Sequence, residues 1–597
     1  MKTNSKTLGQ YFTPKFIADF MVKMIDTERP NDCKILEPCA GEGSFLRALN
    51  DFGYSNIRAF EIDGTIHNNS NVQIIYDDFL LLNNTEDKYD VVIGNPPYVR
   101  WKNLSEEMKE SLKTSKYWKS ETNALGDLLY YFILSSVEKL NHLGELIFIT
   151  PVFWTQTLHA QEVRRSLLRE GSIESIILLG ESKLFTNVAS TFLIFKFRKG
   201  KKNGNVKVFE LKDDTKLNYE ALTSIVPNIN KDSTTDTINN RFFSIFEIDQ
   251  PKNGNPWLFI PKEKVKIIEQ IEKTCSINSP FIEIEIDSSR KAIPLSSLLT
   301  KYDLEEFNIS EDKCTLVRYL NRQYFIPNQQ NLISHGIGQM NRYTRLDDIS
   351  EIGNGLVSGL DKAFNAEDIG ILNELEKSKL ILVAKAKYFN RFITTSLAPY
   401  IFVNDINSEE ELRSDYPNIY KHLLSYRDEL LKRYSYNKEI KWWHWVFLRN
   451  FELIKNTKKK ILVPCKERID KRNYVRFVLV EGEVYATQDV TSIVIKDGVR
   501  EKPEYILALL NSNLIFEWLK YKGLKRGGVL EFSEAPLEKI PIRLIDWSDS
   551  IEVSIHNEIV SLVRMIMERD GNTSDLERLN FLVELIYTKI NRLLNSS

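Results

Sequence analysis

The stretch that decides the fold class is Tyr89-Asp90-Val91-Val92-Ile93-Gly94-Asn95-Pro96-Pro97-Tyr98. Its first six residues form an apolar run that ends at a glycine, which predicts a buried parallel strand. The tetrapeptide Asn95-Pro96-Pro97-Tyr98 then forms a turn at the carboxyl end of that strand. Ligands of open α/β sheets bind beyond the carboxyl ends of the strands. We therefore predict that this turn belongs to an active site.

The tetrapeptide suits one chemical task. The Asn95 side-chain oxygen and the Pro96 carbonyl are two acceptors that can take both N–H donors of a planar amino group, such as that of adenine. Such a nitrogen is a poor nucleophile because its lone pair is delocalised into the ring, and the two hydrogen bonds favour a tetrahedral nitrogen with a free lone pair. Tyr98 adds an aromatic stacking face. Taken alone, the four residues describe a proline-stiffened turn equally well.

Three more strand-like runs end in polar residues or glycines. The run Lys34-Ile35-Leu36-Glu37 leads through a loop with Gly41 and Gly43 into a helix start, where a ligand can approach the backbone closely. Glu61 closes the next strand and can accept from two ribose hydroxyls. Asp78 and Phe79 follow the third strand. Because position 46 is leucine rather than the third glycine of the dinucleotide fingerprint, the pattern disfavours a nicotinamide site.

These motifs, in this order, resemble the gamma class of N6-adenine DNA methyltransferases, typified by the TaqI enzyme. The resemblance includes the element Gly9-Gln10-Tyr11-Phe12-Thr13-Pro14 ahead of the glycine loop. It implies an S-adenosylmethionine site lined by Thr13, Glu37, Gly41, Gly43, Glu61, Asp78, Phe79 and Phe132, the last on a helix that follows Gly126-Asp127. It also implies that Phe185 opposes Tyr98 across an adenine extruded from duplex DNA.

The domain organisation follows from composition and periodicity. The first 200 residues alternate strands and helices, which predicts a Rossmann-like α/β domain over residues 1–240. A segment rich in Asn, Asp, Thr and Pro separates it from residues 241–597, which resemble the family's mixed α+β target-recognition region. Residues 276–341 match nothing in that pattern and are interpreted as a possible insertion. Apolar residues at helical spacing after Ile551 predict a C-terminal helical hairpin.

Two basic clusters in the second half are candidates for contact with DNA. The first, between Lys441 and Arg476, includes Lys458, Lys459 and Lys460 and is interleaved with tryptophans; it predicts a phosphate-binding face. The second contains Lys525 and Arg526 beside glycines, which suggests a loop against the DNA backbone. The net charge of −2 gives no global support for nucleic-acid binding.

Composition excludes several classes. The chain of 597 residues has no apolar run near the roughly 18 residues of a membrane span and no secretion signal, so we expect a cytoplasmic protein. Its five cysteines are scattered without a C-x-x-C pair, which argues against a disulfide framework and a metal site. Because the chain has its own catalytic and recognition halves, we expect a monomer. We expect double-stranded DNA as its partner and, by the resemblance, a separately encoded cognate restriction endonuclease.

Three other activities are weighed against this one. A cytosine-C5 methyltransferase needs a Pro-Cys nucleophile, but neither Pro38-Cys39 nor Pro464-Cys465 is followed by Gln. Methyltransferases acting on an RNA base or a protein glutamine share the Asn-Pro-Pro-Tyr turn and remain the alternative, although they seldom carry so large a second half. A nuclease fragment can be read in Glu439-Ile440-Lys441, a triplet that is frequent by chance.

Overall fold

The structure is a computed structural model, and it describes residues 11–81, 87–122, 126–180, 184, 191–202, 204–212, 215–229, 240–252, 254–275, 280–286, 289–295, 298–301, 304, 309–319, 322–328, 331–339, 343–434, 439–469, 472, 474–526, 528–569 and 573–594. The chain divides into two compact units. Unit 1 comprises Met1–Val265 and Arg526–Gly528, and unit 2 comprises Lys266–Lys525 and Val529–Ser597.

Unit 1 is built on one nine-stranded sheet in the order β3-β2-β1-β4-β5-β7-β6-β8-β9. Its strands are β1 (Ile35–Glu37), β2 (Ile57–Glu61), β3 (Ile74–Tyr76), β4 (Tyr89–Gly94), β5 (Leu140–Pro151), β6 (Gly171–Leu178), β7 (Phe192–Lys199), β8 (Asn205–Leu211) and β9 (Phe243–Asp249). The first five strands pair in parallel, whereas β7 lies antiparallel between β5 and β6. The predicted Rossmann-like sheet is confirmed.

Helices cover both faces of this sheet. They are α1 (Lys15–Lys23), α2 (Ser44–Asp51), α3 (Glu106–Lys113), α4 (Leu128–Lys139), α5 (Gln161–Glu170), α6 (Tyr219–Thr223) and α7 (Val226–Ile229). Apolar residues of α1, such as Phe20 and Met21, join the core on one face, while α4 and α5 supply the core on the other. This double cover explains why the central strands are apolar throughout rather than alternating.

The boundary between the units differs from the prediction. Strand β9 pairs with β8 and so extends the unit 1 sheet beyond residue 240. The two units meet in sequence at Val265, inside the helix α8 (Lys262–Cys275). The predicted boundary at 240 therefore comes before the end of unit 1, because a polar composition does not by itself mark the end of a domain.

Unit 2 contains several small sheets. Their strands are β10 (Pro280–Ile286), β11 (Ser289–Pro294), β12 (Cys314–Tyr319), β13 (Arg322–Pro327), β14 (Ile333–Gln339), β15 (Ser350–Asn354), β16 (Leu380–Ala384), β17 (Ala398–Ile401), β18 (Lys459–Pro464), β19 (Lys466–Arg468), β20 (Val478–Glu481), β21 (Val484–Ala486), β22 (Val490–Ile495), β23 (Lys525–Arg526) and β24 (Val529–Glu531). The main sheet has the order β15-β22-β18-β20. Strands β10 to β14 lie within residues 276–341 and form two separate small sheets.

The helices of unit 2 lie between and after these strands. They are α9 (Leu346–Ile349), α10 (Asp361–Phe364), α11 (Glu374–Lys377), α12 (Glu409–Asp415), α13 (Pro417–Leu424), α14 (Arg427–Lys432), α15 (Phe451–Asn456), α16 (Pro503–Leu510), α17 (Asn513–Lys522), α18 (Glu534–Glu538), α19 (Ser550–Arg569) and α20 (Thr573–Leu594). The last two pack against each other and confirm the predicted helical hairpin. No helix within the described residues is long and apolar enough to cross a membrane.

Candidate active site

The carboxyl ends of β1, β2, β3 and β4 lie side by side at one edge of the sheet. In register, Glu37 of β1 is opposite Ala59 of β2, and Glu61 of β2 is opposite Tyr76 of β3. A single cavity opens beyond these ends, and its lining is Tyr11, Phe12, Pro38, Cys39, Gly41, Glu61, Ile62, Asp77, Asp78, Phe79, Leu80, Asn95, Pro97, Met108, Leu128 and Phe132. Motifs far apart in sequence therefore share one pocket, because parallel strands end at the same edge.

The glycine loop and Glu61 fix one wall. Gly41 and Gly43 have positive φ angles of +52° and +77°, a conformation that glycine adopts without strain. One carboxylate oxygen of Glu61 accepts from the Gly41 amide at 2.8 Å, and the other accepts from the Asp63 amide at 3.0 Å. Each oxygen keeps a further lone pair. The carboxylate is therefore rigidly oriented and can accept from a pair of neighbouring hydroxyls.

Glu37 ends β1, one residue before the lining residue Pro38; it is 1 % exposed and is not itself part of the lining. Its Oε2 atom has no hydrogen-bond partner. Burial, and after it the charge of Glu61, raises the pKa of the Glu37 carboxyl well above its usual range. A buried acceptor without a partner beside a cavity suits a cationic ligand, which would restore the ionised form.

An aromatic and acidic slot forms the far wall. Phe79 and Phe132 stack with their ring centroids 5.8 Å apart. Asp78 accepts from the Leu80 amide at 2.9 Å, and burial raises the pKa of its carboxyl. Flat apolar rings beside an acceptor are suited to a purine base that carries an amino group.

The Asn95 amide is held in one orientation. Its Nδ2 donates to the Tyr11 carbonyl at 3.0 Å and to the Thr13 hydroxyl at 3.1 Å. These two acceptors fix the identity of the amide atoms, so that Oδ1 is the atom left to accept from a ligand. In this structure the Tyr98 hydroxyl donates to Oδ1 at 3.2 Å, and burial raises the pKa of Tyr98, which keeps this hydroxyl a donor.

Comparisons with known proteins match this chain to families of DNA methylases. Residues 1–67 match the N-6 DNA Methylase family, residues 44–185 match the Eco57I restriction-modification methylase family, and residues 414–542 match the TaqI-like C-terminal specificity domain. The chain is 36 % identical over 584 residues to the type II methyltransferase M.HindII of Haemophilus influenzae, covering 98 % of both chains. It is 34 % identical to M.HincII of Haemophilus influenzae over the same length.

The chain belongs to the type II N6-adenine DNA methyltransferases. It transfers a methyl group from S-adenosylmethionine to the N6 atom of adenine at a specific site in DNA. The fold agrees with that of the type IIL restriction-modification enzyme MmeI in complex with DNA, at a TM-score of 0.55 and 12 % identity over 97 % of this chain and 72 % of that one. The sequence relatives, which are DNA methyltransferases, decide against the alternative of an RNA base or a protein glutamine as substrate.

The pocket of this methyltransferase contains most of the residues expected from sequence. Asn95, Pro97, Gly41, Glu61, Asp78, Phe79 and Phe132 line it. Four other predicted residues are not part of the lining: Glu37, Gly43 and Pro96 are buried, and Tyr98 is half-buried. Thr13 is 7 % exposed and lies behind Asn95, where it contacts the amide rather than the cavity. Phe185 lies outside the described residues, so its predicted role stays a prediction.

Sequence reasoning missed the other residues that line the cavity, which are Tyr11, Phe12, Pro38, Cys39, Ile62, Asp77, Leu80, Met108 and Leu128. Tyr11 and Cys39 lie within the motifs quoted above, so their positions could have predicted that they line the pocket. Met108 on α3 lies in no such motif. The Cys39 thiol donates to the Asn95 carbonyl at 3.2 Å, and burial raises its pKa well above the ordinary value. Cys39 is thus a protonated packing residue, in keeping with the rejection of a Pro-Cys nucleophile.

The first predicted DNA-binding cluster needs correction. Lys460 is 1 % exposed, and its ammonium donates to the carbonyls of Ile454, Gly482 and Val484. Burial lowers its pKa to about 8. The prediction that Lys460 contacts phosphate is therefore wrong, because the residue lies in a central strand that is covered on both faces.

The neighbours of Lys460 differ from one another. Lys459 is half-buried and forms ion pairs with Glu481 at 2.8 Å and Glu504 at 3.0 Å, while Lys458 is exposed. The tryptophans interleaved with this cluster, Trp442, Trp443 and Trp445, are buried in the core of unit 2 rather than displayed on a surface.

The second cluster belongs to a small sheet in the order β19-β24-β23. Strand β19 carries the exposed Lys466 and β23 carries the half-buried Lys525. The structure gives no description of the Arg526 side chain. This sheet links two basic segments that are some 60 residues apart in sequence. Among the residues described, no group of His, Cys, Asp or Glu is arranged to hold a metal ion.

Proposed function

We propose that Asn95 and the Pro96 carbonyl are the acceptors that activate the adenine amino group. The fixed amide of Asn95 supports this role, because its Nδ2 is committed to Tyr11 and Thr13 and its Oδ1 is directed elsewhere. Two acceptors at a buried turn withdraw both N–H bonds from the ring plane and leave the nitrogen lone pair available for attack. S-adenosylmethionine supplies the electrophilic methyl group.

The adenine has to leave the DNA stack before these acceptors can reach it, since its amino group is otherwise held in a base pair. Extrusion costs a few kcal/mol, and stacking on an aromatic ring returns on the order of 1 to 3 kcal/mol. We propose that Tyr98 supplies this ring and, from the resemblance, that Phe185 contributes a second contact. The proton left on the amino nitrogen after methyl transfer passes to solvent.

The cofactor-binding roles are proposals that rest on the pocket's geometry. Glu61 would accept from the ribose hydroxyls, Asp78 from the adenine amino group, and Phe79 and Phe132 would hold the adenine ring. Glu37 would meet positive charge on the methionine part of the cofactor. Gly41 and Gly43 would let the ligand approach the backbone, and Thr13 would act by holding Asn95.

For the DNA contacts we propose Lys458, Lys466 and Lys525, with Arg526 as a member predicted from sequence. Exposed or half-exposed lysines in a unit that matches a specificity domain suit the sugar-phosphate backbone, which is read without regard to base sequence. Lys459 would contribute only if DNA replaced its two carboxylate partners.

We also propose that the enzyme acts as a monomer in the cytoplasm, alongside a separately encoded cognate endonuclease. The chain contains both a catalytic and a specificity match, so one copy holds the parts that the reaction needs. The relatives that align over 98 % of their length are named as methyltransferases alone.

Substitution Asn95→Ala tests the catalytic proposal. Loss of one oriented acceptor should raise the barrier by roughly 3 kcal/mol, a drop of more than a hundredfold in kcat. The affinity for S-adenosylmethionine should stay within a few-fold of wild type. Single-turnover methylation of duplex DNA measures the first quantity and calorimetry the second. The matched control is Asn56→Ala, at an exposed asparagine of the same unit, and it should methylate DNA normally. Near-normal turnover of Asn95→Ala would refute the catalytic role of Asn95.

A further inference from the structure

Tyr11 and Tyr98 stack directly on one another next to the catalytic amide. Their ring centroids are 5.1 Å apart and the planes differ by 9°. Tyr98 also meets Phe192 at 5.8 Å with a tilt of 53°, and Phe192 is a core residue at the start of β7. Of these two neighbours, only Tyr11 also lines the open cavity.

The groups that would receive the adenine are occupied by the protein itself. The Tyr98 hydroxyl satisfies Asn95 Oδ1, and the Tyr11 ring covers a face of Tyr98. A base inserted between two rings needs roughly 7 Å between their planes, twice a van der Waals contact of about 3.5 Å. The ring centroids are 5.1 Å apart, which sets an upper limit on the present spacing of the planes. The pair must therefore open by at least about 2 Å to admit a base.

We infer that Tyr11 is the second aromatic wall of the adenine pocket, and that the Tyr11–Tyr98 stack is the closed form of that pocket. On base entry, the direct stack becomes a Tyr11–adenine–Tyr98 sandwich, and the adenine amino group replaces the Tyr98 hydroxyl on Asn95. The base thus covers the ring faces that Tyr11 and Tyr98 turn away from each other, and its amino group takes over Asn95 Oδ1. The exchange keeps both rings and the amide oxygen in contact with a partner and releases the Tyr98 hydroxyl from Asn95.

The position of the Tyr11 backbone makes this opening feasible. The contact between Tyr11 and Asn95 runs through the Tyr11 carbonyl, which accepts from Asn95 Nδ2 at 3.0 Å. The ring can therefore turn away about its side-chain bonds while the backbone anchor of the catalytic amide stays in place. For the same reason, Tyr11→Ala removes the ring and keeps the anchor.

The test compares two DNA duplexes, one with the target base and one with an abasic site at that position. If Tyr11 is a wall, Tyr11→Ala should weaken binding of the first duplex by roughly tenfold to a hundredfold and leave binding of the abasic duplex unchanged. Tyr11→Phe, which keeps the ring, should restore wild-type affinity, and Tyr11→Leu should not. A structural role for Tyr11 would change the affinity for both duplexes together.

A fluorescent 2-aminopurine at the target position gives an independent readout. The probe brightens when it leaves the DNA stack and is quenched again by an aromatic ring. With the methyltransferase in its full length, Tyr11→Ala should raise the signal relative to wild type. Phe12→Ala is the matched control: Phe12 is the neighbouring aromatic, it is 48 % exposed and contacts the glycine loop, and its loss should affect cofactor affinity but not probe brightness.

The inference rests on the proposed role of Tyr98, and the outcomes separate the two. If Tyr98→Ala brightens the probe and Tyr11→Ala does not, Tyr98 keeps its role and Tyr11 is not a wall. If neither changes the signal, the role of Tyr98 fails as well. Should Phe185→Ala alone reproduce the expected effect, the second wall is Phe185. Tighter binding of the base-containing duplex by Tyr11→Ala would also overturn the inference, since Tyr11 would then only obstruct the site.

Discussion

Glu37 should make cofactor binding depend on pH. Its carboxyl is buried, one oxygen has no hydrogen-bond partner, and burial together with the charge of Glu61 raises its pKa well above 4.5. The free enzyme therefore keeps this carboxyl protonated at a pH at which an exposed glutamate is ionised. The positive charge of S-adenosylmethionine favours the ionised form, so binding should release a proton from Glu37.

The magnitude and sign follow from linkage. The pKa of Glu37 is raised in the free enzyme and should be lower in the complex. Between these two values one proton leaves per cofactor bound, so the association constant should rise about tenfold per pH unit, which is about 1.4 kcal/mol. Affinity is therefore lost as the pH falls, and it levels off above the pKa of the free enzyme.

Calorimetric titration in two buffers of different ionisation enthalpy measures the released proton directly. Glu37→Gln cannot release it, so this variant should bind more weakly, with heats that agree between the buffers apart from any proton from the cofactor itself. Glu42→Gln, in the same glycine loop, should behave like wild type. The reasoning is refuted if wild type shows no proton release below neutral pH, or if Glu37→Gln retains it.

Three further predictions concern the supports of the site. Glu61→Ala should weaken S-adenosylmethionine binding by tenfold or more, since it removes a charged acceptor; calorimetry would detect this. Gly43→Ala should lower Tm and cofactor affinity, because the φ of Gly43 is +77° and the new Cβ would lie 2.9 Å from a side-chain oxygen. Gly64→Ala, whose Cβ would lie 4.0 Å from its nearest neighbour, should be neutral. Lys460→Met should destabilise unit 2 by roughly 2 kcal/mol or more in denaturant melts. Lys458→Gln should leave stability unchanged, and it should reduce the slope of log DNA affinity against log salt concentration by about 0.9. A stable Lys460→Met variant, or an unchanged salt slope for Lys458→Gln, would contradict that division.

The sequence alone led to the sheet, to the order of its motifs and to the polar and aromatic side chains at the strand ends that line the pocket, such as Glu61, Asp78 and Asn95. Those predictions depend on short-range signals: an apolar run fixes a strand, and a glycine or acid directly after it fixes a strand end. Parallel strands bring their ends to one edge, so Glu37, Glu61, Asp78 and Asn95 could be assigned to one pocket from topology. The C-terminal hairpin was equally local, since helical spacing of apolar residues sufficed.

Only the tertiary structure decided which of the predicted DNA-binding side chains are exposed to a ligand. Lys458, Lys459 and Lys460 look alike in sequence, yet one is exposed, one is paired and one is buried, because their exposure depends on the strands that pack beside β18. The strand β9 joined the first unit through its pairing with β8. The stack of Tyr11 on Tyr98 and the orientation of the Asn95 amide depend on contacts between residues more than 80 positions apart, and no local pattern in the sequence encodes such contacts.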